Sequence, residues 1–163
     1  MTWPKVPLAA VAPAVPSPIR FEPDQDVWHL TLDQIQSGSG RIANVRTAPA
    51  RKAGTSTYSF DEAHVLYSKL RPYLNKVVRP HAPGIATTEL VPLRPCPEVL
   101  LPDFLAHYLR APGFLAFASS CVAGTKMPRV IMQRGWEHEI PLPPPSEQRR
   151  IVASLDSLFT RLD

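Results

Sequence analysis

The sequence of 163 residues is poor in cysteine, with only Cys96 and Cys121, poor in glycine, with seven, and free of long apolar runs. Two cysteines cannot build a disulfide scaffold, and so few point to a reducing compartment. No apolar stretch approaches the roughly 20 residues of a membrane-spanning helix. The opening Met1-Thr2-Trp3-Pro4 lacks the basic, apolar and small-residue series of a secretory signal. A cytoplasmic protein without membrane contact is therefore expected. Catalytic signatures are missing as well. There is no GxGxxG, and Gly124-Thr125-Lys126 lacks the upstream glycine of a phosphate-binding loop. The amino-methyltransferase motif needs a polar residue before its prolines, and Leu142-Pro143-Pro144 offers leucine. Glu89 is followed by Leu90 and Val91, not by the lysine of a Glu-x-Lys nuclease. The five histidines and two cysteines never fall at metal-ligand spacing, so no metal site is expected. His107 has apolar neighbours and reads as a packed residue. Cys121 has no electropositive turn to activate it. No catalytic residue is assigned.

What is abundant is proline, at 20 residues. Interior prolines break helices, so a continuous helical bundle is disfavoured. With 44% hydrophobic and 20% charged residues, the chain has the composition of one folded domain, able to bury roughly two-thirds of its unfolded surface. The formal net charge of +4 is unevenly spread. Residues 41–80 hold Arg41, Arg46, Arg51, Lys52, Lys69, Arg71, Lys76 and Arg79 against Asp61 and Glu62. Residues 104–136 hold Arg110, Lys126, Arg129 and Arg134 and no acid, while the first forty residues are net acidic. Two basic blocks of this kind permit nucleic acid as a partner.

The order of segments predicts a mixed fold. Residues 1–24 read as a proline-rich, extended lead-in with one short strand around Val6–Val11. Val27–Leu32 alternates as a strand, Leu32–Ile35 opens a helical turn, and Ser37–Gly40 is a turn by composition. Residues 44–57 read as a loop. His64–Leu70, Leu74–Arg79 and Ile85–Leu93 read as strands. Asp103 is the expected N-cap of a helix carrying Phe104, Leu105, Tyr108 and Leu109, which Pro112 ends; Gly113–Ser120 forms a second helix. Val122–Pro128 reads as loop, with short strands at Arg129–Met132 and Glu139–Leu142. Pro143–Pro145 is rigid, and Ser146 is the expected N-cap of a last helix running to Asp163, with Glu147 in its first turn. Along that helix Ile151, Leu155, Leu158 and Leu162 are spaced 4, 3, 4, a coiled-coil-like seam. It serves either its own domain or an inter-domain or dimer contact.

Strand alternation would place Val65, Tyr67, Lys69 and Arg71 on one face, with Tyr73, Asn75 and Lys76 extending it. Arginine can bind a guanine edge bidentately, asparagine an adenine edge, and both cations pair with phosphate. Thr125, Lys126 and Arg129 lie in or beside a second segment, whose small residues permit close approach to a nucleic-acid backbone. Taken alone, each segment is equally compatible with a solvated face.

Five stretches in order then resemble the target recognition domain of type I restriction-modification specificity subunits (HsdS-like). They are Val27–Ile42 (VWHLTLDQIQSGSGRI), Val65–Val77 (VLYSKLRPYLNKV), Gly84–Arg94 (GIATTELVPLR), Gly124–Arg129 (GTKMPR) and Ile140–Val152 (IPLPPPSEQRRIV). The resemblance covers about residues 25–160. It implies a non-catalytic module that reads double-stranded DNA at Lys69, Arg71, Tyr73, Asn75, Lys76, Thr125, Lys126 and Arg129. It also implies a helix whose Ile151, Leu155, Leu158 and Leu162 meet a partner. Methyltransferase subunits would bring S-adenosylmethionine and methylate adenine. A restriction motor subunit, with its own ATP and magnesium, would join them; this chain would bind no cofactor. The usual subunit has two recognition domains and two long helices. A single domain with a short helix is expected to be a half or truncated subunit, capable of self-pairing through that helix.

The expected fold class is α+β. A twisted, mostly antiparallel sheet with short helices occupies residues 25–145, after the lead-in 1–24 and before the start of a spacer or dimerisation helix at 146–163. The alternative function is a protein-interaction or assembly module that reads no DNA.

Overall fold

The computed structural model describes residues 2–162, and of Leu162 only the backbone. The strands are β1 (Lys5–Pro7), β2 (Asp26–Leu30), β3 (Thr47–Pro49), β4 (Thr57–Phe60), β5 (Val65–Ser68), β6 (Val77–Val78), β7 (Gly84–Thr87), β8 (Leu90–Leu93), β9 (Val122–Ala123), β10 (Arg129–Val130) and β11 (Glu139–Pro141). The helices are α1 (Leu8–Val11), α2 (Pro102–Arg110), α3 (Pro112–Ser120), α4 (Met132–Gly135) and α5 (Pro145–Leu162). Single 3-10 turns occur at Leu32–Gln34, Ala50–Ala53 and Pro72–Leu74. This is the expected α+β class. A four-stranded sheet runs β3-β2-β7-β4, and a three-stranded sheet runs β6-β5-β8. All pairings are antiparallel except β2 with β7.

The three-stranded sheet lies between two apolar clusters, and its side chains alternate between them. Val65 and Tyr67 of β5, Val77 of β6, and Val91 and Leu93 of β8 join the first cluster, with Phe104, Leu105 and Leu109 of α2, Phe114 of α3, and Trp136. Leu66, Val78 and Leu90 join the second, with Trp28, Leu30, Phe60 and Ala86 of the larger sheet. Successive side chains of a strand point to opposite faces, so a central strand must be apolar on both. This overturns the expectation of one exposed face carrying Val65, Tyr67, Lys69 and Arg71. All four residues of β5 are buried, and the strand ends before Lys69.

Several other expectations are corrected. Ile85–Leu93 is two strands in two sheets. The polar pair Thr88-Glu89 turns the chain between them, and the Glu89 N–H lies 3.4 Å from Thr87 Oγ1. The expected loop 44–57 contains β3, an edge strand that tolerates Pro49 because an edge leaves one row of N–H groups unused. Val122–Ala123, inside another expected loop, pairs with β10. Leu101, not Asp103, is the N-cap residue of α2, with Pro102 at the first helical position. The Asp103 carboxylate is drawn instead to Arg79 Nε, 2.8 Å away. Ser146 is already inside α5, which starts at Pro145.

The proline-rich start is fixed to the body. β1 pairs with β11, Leu8 N–H donates to His138 O at 2.9 Å, and Trp136 Nε1 donates to Ala12 O at 3.0 Å. Further on, Val15 N–H donates to Pro92 O at 3.0 Å, and buried His64 reaches Val15 O through Nε2 at 2.7 Å. Asp61 accepts from Ser17 Oγ at 2.7 Å and from Ala63 N–H at 2.9 Å. Burial opposes the Asp61 charge. The Ser17 and Ala63 hydrogen bonds, with nearby His64 and Arg94, outweigh it and hold the pKa down at about 2.

Candidate nucleic-acid interface

The two basic segments, about fifty residues apart in sequence, meet in the structure. β5 runs out through Lys69 and Leu70. Leu70 forms a bridge with Arg129, and Val130 N–H donates to Lys69 O at 2.8 Å. β9 and β10 form a hairpin, with Ala123 opposite Arg129, whose loop is 124–128. Gly124 takes φ +97°, and a Cβ there would sit 3.1 Å from Met127 O, so the turn favours glycine. Arg71 lies beside this loop in the left-handed region, at φ +48°. Its N–H donates to Pro128 O at 2.7 Å, and its Nη2 donates to Lys126 O at 3.2 Å.

The expected contact residues therefore divide. Lys69 and Arg71 are half-buried beside the hairpin loop, whose Thr125 and Lys126 are exposed; Tyr73, two residues after Arg71, is 55% exposed. Among the described residues Lys69 and Lys126 make no ion pair. Arg129 is engaged: Glu89 accepts from its Nη2 at 2.7 Å and from its Nε at 2.9 and 3.1 Å. That carboxylate raises the pKa of the guanidinium. Asn75 and Lys76 are occupied by the fold. Asn75 Nδ2 donates to Arg110 O at 3.1 Å, and Lys76 Nζ donates to Leu32 O at 2.8 Å. Residue type alone singled out both, because a side chain that bonds a distant carbonyl looks in sequence like one free to bond a base. Glu89 and the exposed Met127 were not singled out; nothing in their spacing marks them.

The surface so formed carries three cations not matched by acids, Lys69, Arg71 and Lys126, beside an exposed loop tip. Its chemistry suits phosphate pairing and contact with base edges. Among the described residues there is no cluster of three or more potential metal ligands, and no helix is long and apolar enough to cross a membrane.

The seam of α5 divides too. Gln148 is fully buried. Its Oε1 accepts from Leu101 N–H at 2.8 Å, and its Nε2 donates to Val99 O at 2.9 Å and Pro143 O at 2.8 Å. Ile151 and Val152 pack against the first apolar cluster. Leu155 is half-buried and lines a cleft of about 780 Å³ with Arg41, His107 and Arg110. Leu158 is 50% exposed. The Leu162 side chain and Asp163 lie outside the described residues.

No family model matches the chain. Its relatives are nonetheless specific. Over 156 residues it is 26% identical to the type I restriction enzyme EcoDI specificity subunit of Escherichia coli, covering 96% of this chain and 34% of that protein. The crystal structure of the HsdS subunit from Thermoanaerobacter tengcongensis superposes over 98% of this chain and 42% of that one, with a TM-score of 0.81 and 26% identity. The chain is HsdS-like. A second structure, from work on complex assembly and conformational transition of the type I R-M system, superposes with a TM-score of 0.80 at 26% identity, over 98% of this chain and 43% of that one. The HsdS-like chain thus spans about a third of the length of its curated relative and about two-fifths of the solved ones. The fold of the chain matches that of these subunits over nearly its whole length.

Proposed function

We propose that this chain is a sequence-specific double-stranded DNA-binding domain of a type I restriction-modification system, acting in the cytoplasm as a half or truncated specificity subunit. It performs no catalysis. It directs adenine methylation by methyltransferase subunits that hold S-adenosylmethionine, and restriction by a motor subunit using ATP and magnesium. The observation that carries this reading is the meeting of the Lys69–Arg71 segment with the Thr125–Lys126 loop. Opposed cations and an exposed loop are what a duplex backbone and groove require. In this reading the lead-in 1–24 precedes a DNA-reading domain at 25–145, and the helix from 146 onward meets partner subunits, or a second copy, through Leu155, Leu158 and Leu162.

The test is genome-wide adenine methylation in the source cell with and without the gene. Loss of one methylated motif establishes the specificity role. A palindromic split motif then marks a self-paired half-subunit, and an asymmetric one marks a second recognition chain. Unchanged methylation refutes the reading. Exposed Leu158 and Phe159 on α5 favour a second reading, an assembly module without DNA reading. In that case the purified chain joins methyltransferase subunits yet binds no duplex.

A further inference from the structure

Glu89 is an acid set among Lys69, Arg71, Lys126 and Arg129. A carboxylate on a surface meant for phosphate weakens attraction to every DNA sequence alike. Its geometry gives it another task. Glu89 stands in the turn between β7 and β8, where its own carbonyl accepts from Lys69 N–H at 3.0 Å. Its carboxylate takes two nitrogens of Arg129 at 2.7–3.1 Å, a bidentate, charge-assisted contact of fixed direction. Arg129 begins β10, immediately after the loop 124–128. On the other side Arg71 holds the same loop by two carbonyls, Pro128 O through its N–H and Lys126 O through its guanidinium. Three segments, the exit of β5, the β7–β8 turn and the β9–β10 hairpin, are thereby tied at one point. The loop whose carbonyls are clamped at Lys126 and Pro128 exposes the side chains of Thr125, Lys126 and Met127.

Resting on the DNA-binding reading above, we propose that Glu89 and Arg71 are positioning residues for sequence discrimination: they fix the pose of the 124–128 loop, from which Lys126 meets the duplex. Glu89 trades some general affinity for a preset loop. A loop fixed before binding has no ordering entropy left to lose on the correct site and cannot adapt to incorrect ones. Arg71 therefore acts through the loop and not chiefly as a base reader.

The test uses the full chain with two substitutions that keep or raise positive charge, Glu89→Gln and Arg71→Lys. Without DNA, amide hydrogen exchange reads the clamp at Arg71 N–H and Val130 N–H, with Leu66 and Leu93 amides reporting the core. Both variants should speed exchange at the clamp by about tenfold or more, as loss of one charge-assisted hydrogen bond implies, with the core amides unchanged. Binding is then measured at fixed salt on two duplexes, one selected by the wild-type chain from a random library and a scrambled one of equal length. Glu89→Gln should bind the scrambled duplex more tightly than wild type and lose about tenfold in discrimination, the equivalent of one lost contact. Arg71→Lys, which keeps the charge but not the guanidinium contact to Lys126 O, should likewise lose about tenfold in discrimination. Clamp amides that exchange as in wild type, or discrimination kept in both variants, overturn the proposal. If the wild-type chain binds no duplex, the DNA reading fails, and the exchange measurement alone still decides whether Glu89 and Arg71 hold the loop.

Discussion

Replacing Gln148 with leucine removes the polar tie between α5 and the body while keeping side-chain size. In the wild type, one buried amide satisfies Leu101 N–H, Val99 O and Pro143 O, all at 2.8–2.9 Å. In Gln148→Leu the N–H has no partner, and an orphaned buried donor costs about 1–3 kcal/mol. Each carbonyl loses one bond but retains a second lone pair and costs less. The total is about 3 kcal/mol, a large share of the roughly 5–15 kcal/mol that holds a domain of this size. At roughly 2–4 °C per kcal/mol the melting temperature should fall by about 9 °C. Urea titration with the slope m unchanged gives the free energy directly. Gln148→Glu supplies a control with a sign. A carboxylate can accept from Leu101 N–H but faces two carbonyl oxygens, so burial there raises its folded-state pKa above the ordinary value of about 4.3. A raised folded pKa means that the variant binds more protons folded than unfolded, and its stability falls as pH rises through that value. The Gln148→Glu deficit should be smallest near pH 4 and largest at neutral pH. A loss below about 1 kcal/mol in Gln148→Leu, half the midpoint of a single orphaned donor, would refute the reasoning and place the weight of the junction on Ile151 and Val152.

Asp61 carries the acid sensitivity of the N-terminal tie. Its folded pKa of about 2 lies below the reference 3.8, so the stabilisation is full above the unfolded value and is lost as pH falls toward 2. Wild type should lose about 2 kcal/mol more than Asp61→Asn between pH 4 and pH 2 in acid titrations followed by circular dichroism; parallel curves would dismiss the tie. Gly40→Ala forces a Cβ to 2.0 Å from Val77 O at φ +71°, and should cost at least about 2 kcal/mol by chemical denaturation. Lys126→Ala should weaken all duplexes alike and flatten the logarithmic salt slope by about one; an altered motif preference would make Lys126 a base reader. Ile151→Asp should unfold or strongly destabilise the chain, whereas Leu158→Asp should leave its melting curve within about 1 °C and act only on assembly, seen by light scattering with methyltransferase subunits.

The secondary-structure class and most element positions were legible because period and punctuation agree: Val27–Leu32 alternates, Pro102 and Pro112 bracket a helix, and Pro143–Pro145 precedes one. What was not legible depends on which element covers which. Val65–Ser68 alternates in chemistry with Tyr67 near two cations, yet both of its faces are buried by helices on one side and a sheet on the other. The split of Ile85–Leu93 rests on a two-residue turn with neither glycine nor proline. The two basic segments were each visible, but their meeting was not, since the Leu70–Arg129 bridge spans 59 positions of sequence. Asn75 and Lys76 show the same limit in reverse: their side chains are used by carbonyls of Arg110 and Leu32 that no local pattern brings near.

The seam of α5 shows how one periodic stripe can serve two surfaces. At 3.6 residues per turn, Ile151, Leu155 and Leu158 fall within one narrow face of the helix. A single partner along that face would bury all three alike. Instead Ile151, against the apolar cluster, and Leu155 are both half-buried while Leu158 is 50% exposed, so exposure rises toward the outer end. The gradient follows from the length of what lies beneath. α2, which α5 crosses, ends at Arg110, and the last contacts across the junction are His107 Nε2 with Asp156 Oδ1 at 2.8 Å and the His107 ring stacked on Phe159 at 5.8 Å. The same three residues line the open cleft with Leu155 and Arg41. The inner turns of the helix are therefore folded back on their own domain, while Leu158 and Phe159 on the outer turns stay exposed. The docked turns set the direction in which the outer ones leave. Gln148 anchors that direction with three hydrogen bonds, so on the proposed function a DNA-reading surface on the body and a partner surface on the outer turns would be held rigidly to one another. A recognition module that positions another protein's chemistry on DNA requires that rigidity, and a module built only to assemble does not.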